Sequence, residues 1–342
     1  MTKERVAVAL SGGIDSSVAA LLLREAGYET SGVHMRMWDS SCAERLEYQA
    51  EQVCRILDIP FHVLDLQGEF ERCVIDYFCQ EYRGGRTPNP CVACNQYIKF
   101  GFLLDRVLAL GADHLATGHY ARIEKSGGGY HLLRAKDTSK DQAYFLYTLN
   151  QRKLRYLLFP LGNHAKTEVR QIAKREGLPT AIKPSQDLCF ISEKNYHAFL
   201  GQRFSSMPGD IVDTQGTILG HHRGIAFYTI GQRHGLGLAS NTPLYVTRME
   251  PENNRVVLGS EEELYSREVT ARNLSWLAGE LPSEPIAMTA KIRYKSARVE
   301  AELFPKVDSV DIRFSQPQWA ATPGQAIVFY RGDELLGGGI ID

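Results

Sequence analysis

Apolar and polar positions along the first half of the chain predict strands and helices in alternation. Val6 to Leu10 is an apolar, β-branched-rich run of strand length, and Ser16 to Ala26 carries a helical pattern that stops at Gly27. The succession repeats, with a strand over Thr30 to Trp38, a helix over Ala43 to Leu57, a strand over Phe61 to Leu66 and a helix around Phe70 to Tyr82. A polar loop, Gly84 to Pro90, precedes a helix expected over Asn95 to Leu110 and a strand over Asp113 to Thr117. Such alternation predicts an α/β domain built on a parallel sheet, with ligands at the carboxyl ends of its strands. Arg122 to Glu124 and Tyr130 to Arg134 read as a hairpin, and Lys166 to Glu176 as a further helix.

Beyond about Phe204 the pattern changes to short β-type runs between turn residues. They are Ile225 to Ile230, Leu244 to Met249 and Arg255 to Leu258, then Ala287 to Tyr294, Val299 to Phe304, Val310 to Phe314 and Ala326 to Tyr330. This predicts two small β-rich domains, the last a β-barrel. The expected division is a catalytic domain over 1–203, a central β-rich domain over 204–270 and a C-terminal barrel over 271–342. Gly337 to Gly339 is expected to serve a tight bend or close packing near the last strand. His221 and His222, adjacent on a strand, face opposite ways and do not easily form one metal site.

Composition adds limits more than chemistry. The 342 residues, 44% hydrophobic and 23% charged, are ordinary for a soluble chain of two or three domains. No apolar run approaches a membrane span, and the amino terminus leads straight into the first strand, so a cytoplasmic location is expected. The net charge of −1 means that a nucleic acid would have to be met by local basic patches. Seven cysteines in such a chain point to core filling, metal binding or chemistry rather than a disulfide framework.

Ser11-Gly12-Gly13 joins the first strand to the first helix. Glycines there let the backbone approach a ligand, and the first helical amides, lacking internal partners, favour an anion. No Gly-Lys-Ser/Thr or Gly-x-Gly-x-x-Gly is present, so neither a Walker loop nor a dinucleotide turn is indicated. The Ser-Gly-Gly-x-Asp-Ser pattern resembles the PP-loop of ATP pyrophosphatases, which cleave ATP between the α- and β-phosphates and adenylate an oxygen of their substrate.

Cys91 and Cys94 lie where the proline-rich loop meets the next helix, and Cys189 lies in the loop after the Lys166 helix. A thiol at a helix amino terminus has its thiolate stabilised by the dipole, which makes Cys94 a candidate nucleophile. Cys54, Cys73 and Cys79 fall inside helical patterns and read as core filler, while Cys42 is undecided. Three cysteines from two loops could hold a [4Fe-4S] cluster by three irons, or one could carry a persulfide that another resolves. Arg83, Arg86 and Lys99 around this loop read equally as a phosphate-attracting group or a solvated face. His119, taken by itself, reads first as a satisfied, half-buried histidine.

With Arg86-Thr-Pro-Asn-Pro90, Ala116-Thr-Gly-His-Tyr-Ala-Arg122, Lys140-Asp-Gln-Ala-Tyr-Phe-Leu146, Cys189-Phe-Ile191, Thr229 to Gly237 and Leu336 to Ile340 added, the whole chain resembles the tRNA-specific 2-thiouridylases. The resemblance implies adenylation of the 2-carbonyl of the wobble uridine and its replacement by sulfur, with ATP and Mg²⁺. It assigns ATP binding to Ala9, Leu10, Ser11, Gly12, Gly13, Ile14, Asp15, Ser16, Met35 and Gly118, and sulfur handling to Cys94 and Cys189. It assigns tRNA contacts to His119, Lys140, Asp141, Gln142, Arg293, Tyr294 and Gln325, and the target base to Asn89, Pro90 and Cys91. Many members carry Asp at position 91, proposed as a general acid/base; the thiol here would supply a third ligand for a [4Fe-4S] cluster with Cys94 and Cys189, the alternative being persulfide chemistry on Cys94 and Cys189 alone. Expected partners are the tRNAs for lysine, glutamate and glutamine and a sulfur donor such as a cysteine desulfurase or relay protein. The alternative is another PP-loop ligase or synthetase releasing AMP and pyrophosphate, which would use the same turn without Cys94 and Cys189.

Overall fold

The computed structural model describes residues 3–179, 188–191 and 196–342. The Cys42 side chain and the 180–187 part of the second cysteine loop lie outside the described residues.

β1 (Arg5–Ala9) is followed by α1 (Ile14–Glu25), β2 (Glu29–Arg36), α2 (Ser41–Leu57) and β3 (Phe61–Asp65). Val6 and Val8 face the cluster built on α1 and α2, while Ala7 and Ala9 face one containing Phe70, Phe78 and Ile98. Burial on both faces is why β1 is apolar throughout, as parallel strands are. The next helix begins as α3 (Gln67–Phe70), widens to a π-type turn over Glu71–Asp76 and ends as α4 (Tyr77–Arg83). α5 (Pro90–Ala93) likewise runs through a π-type stretch, Cys94–Leu103, into α6 (Leu104–Ala109). The expected helix start at Asn95 is therefore corrected to Pro90, whose missing N–H and fixed φ suit a first helical position. Asn89 caps it, accepting from the Val92 amide at 3.3 Å.

β4 (His114–Ala116), the hairpin β5 (Ala121–Ser126) and β6 (Gly129–Arg134), α7 (Gln151–Leu154), β7 (Leu157–Leu158), α8 (Lys166–Arg175) and α9 (Tyr196–Arg203) complete the α/β part. Its sheet is parallel in the order β3-β2-β1-β4-β7. The winding reverses beside β1, so the crevice at the end of β1 is the topological switch point.

The central part pairs β8 (Gly209–Val212), β9 (Ile218–His222), β10 (Tyr245–Glu250) and β11 (Arg255–Gly259) in the order β10-β11-β8-β9. The strand expected from Ile225 is instead a 3₁₀ turn, Ile225–Phe227, with all three side chains buried. A short buried apolar run has no period to distinguish the two. His221 pairs with Asp210 on one side of β9, and His222 meets the Asn254 carbonyl on the other.

β12 (Tyr265–Trp276), β13 (Ile286–Lys291), β14 (Val299–Pro305), β15 (Val310–Trp319), β16 (Ala326–Arg331) and β17 (Glu334–Ile341) form a six-stranded antiparallel barrel closed by β12 on β17. Closure removes both sheet edges. Gly337 to Gly339 lie within β17 and serve close packing, not a bend: a Cβ at Gly338 would stand 2.6 Å from the Ile327 carbonyl oxygen. β6 extends the barrel sheet through the Leu133–Glu334 pairing, which ties the α/β part to it.

Candidate active site

The turn after β1 is built by side chains that brace backbone. Gly12 has φ +74°, and a Cβ there would stand 2.5 Å from the Leu46 carbonyl oxygen, so only glycine fits. Ser16 and Ser17 hydroxyls donate to the Gly13 carbonyl at 3.0 and 2.9 Å and so brace the turn. Gly13 provides no side-chain cap, which leaves the first amides of α1 open to an anion. Gly118 lets the chain after β4 pass over α1, where a Cβ would stand 2.7 Å from the Ser16 amide.

Asp15 is the carboxylate of this turn. Lys166 Nζ lies 2.5 and 2.6 Å from its two oxygens, and the Tyr120 hydroxyl donates to Oδ1 at 2.8 Å. Neither partner was singled out from the sequence, because nothing local marks a lysine that opens a helix as a partner of a distant turn. Mg²⁺ typically takes one or two carboxylates with phosphate oxygens and several waters, and a single Asp15 beside a phosphate turn fits that demand.

A cavity of about 1470 Å³ opens above the turn. Leu10, Ser11, Gly13, Ile14, Asp15 and Met35 line one side; Pro90, Cys91, Cys94 and Cys189 line another. Lys99, Lys140, Gln142, Lys166 and Tyr294 also line it. The two cysteine loops thus share one chamber with the nucleotide turn. Phe190 anchors the second loop, its ring 5.8, 5.6 and 5.4 Å from those of Phe70, Phe78 and Phe199.

Cys94 is buried, whereas Cys91 and Cys189 reach solvent. Loss of hydration in the cavity raises all three thiols, Cys189 to about 12 with Cys94 and Cys91 adding to the rise. Because the helix starts at Pro90, Cys94 sits a turn inside it, past the first amides where the dipole would favour a thiolate most. The thiols are free, and among the described residues no three His, Cys, Asp or Glu side chains converge on one metal position. Cys91, Cys94 and Cys189 nonetheless border one cavity, and because each thiolate of a [4Fe-4S] cluster binds a different iron, such a cluster would not require them to meet at one metal position.

The expected RNA-contacting residues are placed unevenly. Lys140, Gln142 and Tyr294 line the cavity. His119 is buried between Phe100 and Phe159, bonds Thr117 Oγ1 at 2.7 Å, and burial holds its pKa well below the usual value. The Asp141 carboxylate accepts from the Ala135 and Ala143 amides and from Arg134, and Gln142 Oε1 accepts from the Tyr120 amide. Arg293 stacks over Trp319, 5.1 Å from the ring centre, and Gln325 points at the loop before Pro90. Neither Arg293 nor Gln325 lines the cavity.

A parallel sheet with a Ser-Gly-Gly-Ile-Asp-Ser turn at its switch point, carrying two β domains, defines an ATP-using enzyme of the PP-loop class. Residues 4–193 match the tRNA methyl transferase HUP domain, 197–260 the tRNA methyl transferase PRC-barrel domain and 266–341 the aminomethyltransferase beta-barrel domain. A tRNA-specific 2-thiouridylase MnmA 1 of Syntrophus aciditrophicus is 47% identical over 349 residues, spanning 99% of this chain and 93% of its own. The chain belongs to the tRNA-specific 2-thiouridylase family. A second relative, the tRNA-specific 2-thiouridylase MnmA of Moorella thermoacetica, is 47% identical over 352 residues and 98% of each chain. The solved U34-tRNA thiolase NcsA from Methanococcus maripaludis, with its [4Fe-4S] cluster, aligns at TM-score 0.40 and 18% identity over 59% of this chain and 66% of its own.

Proposed function

We propose that this protein is a tRNA-uridine 2-sulfurtransferase that adenylates the 2-carbonyl oxygen of the wobble uridine and replaces it by sulfur. The observation that carries the reading is the single cavity shared by the nucleotide turn and by Cys94 and Cys189. A uracil oxygen is a poor leaving group. Its attack on the α-phosphorus of ATP expels pyrophosphate and turns it into AMP, a good one.

Leu10 to Gly13 and the α1 amides receive the phosphates, Asp15 would hold Mg²⁺, which neutralises phosphate charge, and Lys166 is placed to follow the same phosphates. Met35 flanks the adenosine, Pro90 and Cys91 border the target base, and Lys140 and Tyr294 meet RNA at the rim.

Sulfur arrives as a persulfide on one of Cys94 and Cys189. Its terminal sulfur attacks C2 and AMP leaves. The other cysteine then attacks the carrier sulfur, leaving 2-thiouridine and a Cys94–Cys189 disulfide that an external thiol reduces. Cys91, Cys94 and Cys189 would be the thiolates to hold a [4Fe-4S] cluster, which would supply an open iron for sulfide; no step is routed through it. The substrates are the tRNAs for lysine, glutamate and glutamine, and a cysteine desulfurase or relay protein supplies the sulfur.

The test is anaerobic incubation with those tRNA transcripts, ATP, Mg²⁺ and a persulfide donor, followed by nucleoside mass spectrometry and assays of AMP and iron. 2-Thiouridine with stoichiometric AMP from iron-free protein supports the reading. AMP release driven by a small-molecule acceptor, without tRNA, refutes it.

A further inference from the structure

Residues 84–89 run between all three structural parts before opening the cysteine helix. Gly85, at φ +69°, lies against Met249 and Pro251 of the central part, where a Cβ would stand 3.2 and 3.3 Å from their side chains. The barrel grips the next residues. The Thr87 amide donates to the Pro323 carbonyl at 2.8 Å, and Arg86 donates to the Ile341 carbonyl at 3.1 Å. Gln325 Nε2 donates to the carbonyls of Thr87 at 2.9 Å and Pro88 at 3.4 Å. Gly324, at φ +89°, leaves no space for a side chain, since a Cβ would stand 2.9 Å from the Thr87 amide. A second route runs through Tyr144, whose hydroxyl donates to the Ala326 carbonyl at 2.7 Å and also meets the Asn89 side chain. Asn89 in turn caps the helix that carries Cys91 and Cys94.

We propose that Gln325 is a positioning residue for the sulfur site, acting on Cys94 through the 86–89 segment. Its amide nitrogen reaches two loop carbonyls, which would otherwise lack these partners in a partly buried seam. A side chain held this way sets where Pro90 begins the helix, and with it where Cys94 meets the cavity. The barrel therefore completes the sulfur site as well as bordering it. This rests on the sulfurtransferase reading for its kinetic test, though not for its structural one.

The experiment compares full-length wild type, Gln325→Ala and Gln325→Glu, which keeps the size and loses the donors. Three readouts are taken: hydrogen exchange of peptides covering 84–94, the alkylation rate of Cys94 followed by peptide mass spectrometry, and single-turnover thiolation at saturating tRNA beside tRNA Kd. Faster exchange over 84–94, an altered Cys94 alkylation rate and a turnover lowered about tenfold with tRNA Kd within about twofold are expected, as displaced reacting groups lose rate rather than binding. Unchanged exchange and alkylation, or a tRNA Kd weakened about tenfold with turnover intact, overturn the proposal. Gly324→Ala guards against a local effect of the glutamine alone and should move the same three readouts in the same directions. Exchange and alkylation need neither ATP nor tRNA, so a wild type that fails to thiolate sinks the functional reading while the clamp is still tested.

Discussion

Lys166 Nζ sits 2.5 Å from Asp15 Oδ1 and 2.6 Å from Oδ2, joining the start of α8 to the phosphate turn. With the Tyr120 hydroxyl on the same carboxylate, the free site already holds its anion neutralised and aimed. Incoming phosphates and Mg²⁺ compete for these same two groups.

Lys166→Met should weaken ATP by about tenfold, roughly 1.4 kcal/mol, while Asp15→Ala should abolish thiolation in a folded protein. Titration calorimetry with a non-hydrolysable nucleotide and the thiolation assay check this. Wild-type ATP affinity in Lys166→Met would show that the pair only braces α8.

Cys94→Ser and Cys189→Ser should each remove thiolation and leave ATP and tRNA binding intact. A hydroxyl is nearly the size of a thiol and cannot carry a persulfide. Cys91→Ser should keep substantial activity, since the persulfide route uses only Cys94 and Cys189. Nucleoside mass spectrometry separates these outcomes; loss of activity together with iron in Cys91→Ser would establish a cluster route instead.

Gly338→Ala should destabilise the protein by about 1–3 kcal/mol, because overpacked backbone cannot shift freely. Its Cβ would stand 2.6 Å from the Ile327 carbonyl oxygen and 2.7 Å from the Tyr147 ring. Gly201→Ala, in α9 with open space around it, should instead be neutral or stabilising by up to about 1 kcal/mol. Denaturant melts of the two variants decide the matter, and equal midpoints would contradict it.

Burial holds the folded pKa of His119 well below its ordinary value, with Lys99 nearby adding to the shift; burial lowers His34 and His222 as well. The unfolded chain takes up these protons as pH falls through about 6.5, and the folded chain does not. Stability is therefore present above that range and lost as pH falls below it. His131 acts oppositely: its hydrogen bond to Glu334 raises it, so its contribution is present at low pH and lost as pH rises through the folded value, but it lies at the surface. Melting temperature should fall from about pH 7.5 to about pH 5.5, and His119→Gln should fall less steeply. A flat wild-type profile would contradict the assignment.

Much of the fold is legible in the sequence alone. β1, its turn and α1 could be read from Val6 to Gly27 because burial on both strand faces, glycine at a left-handed turn and a helical period are all local demands. The barrel was legible as short strands, but not all its members were. β12 is polar along much of its length, with a register shift between Arg272 and Ser275, and β17 carries three glycines, so neither shows a clean period of two. The π-type stretch over Cys94–Leu103 was hidden for a related reason, since apolar spacing marks a helix without showing which turns are wide.

The sequence by itself determined the phosphate turn, the α/β-then-β order and the cysteines worth watching. Each follows from neighbours along the chain, whose φ/ψ preferences and burial pattern fold little beyond themselves. Only the tertiary structure decided that Cys189 shares a cavity with Cys94, that Lys166 answers Asp15 across 151 residues, and that Gln325 grips Thr87 across 238. Those contacts depend on strand order, barrel closure and the docking of whole elements, and no local pattern encodes which distant partner a side chain will meet.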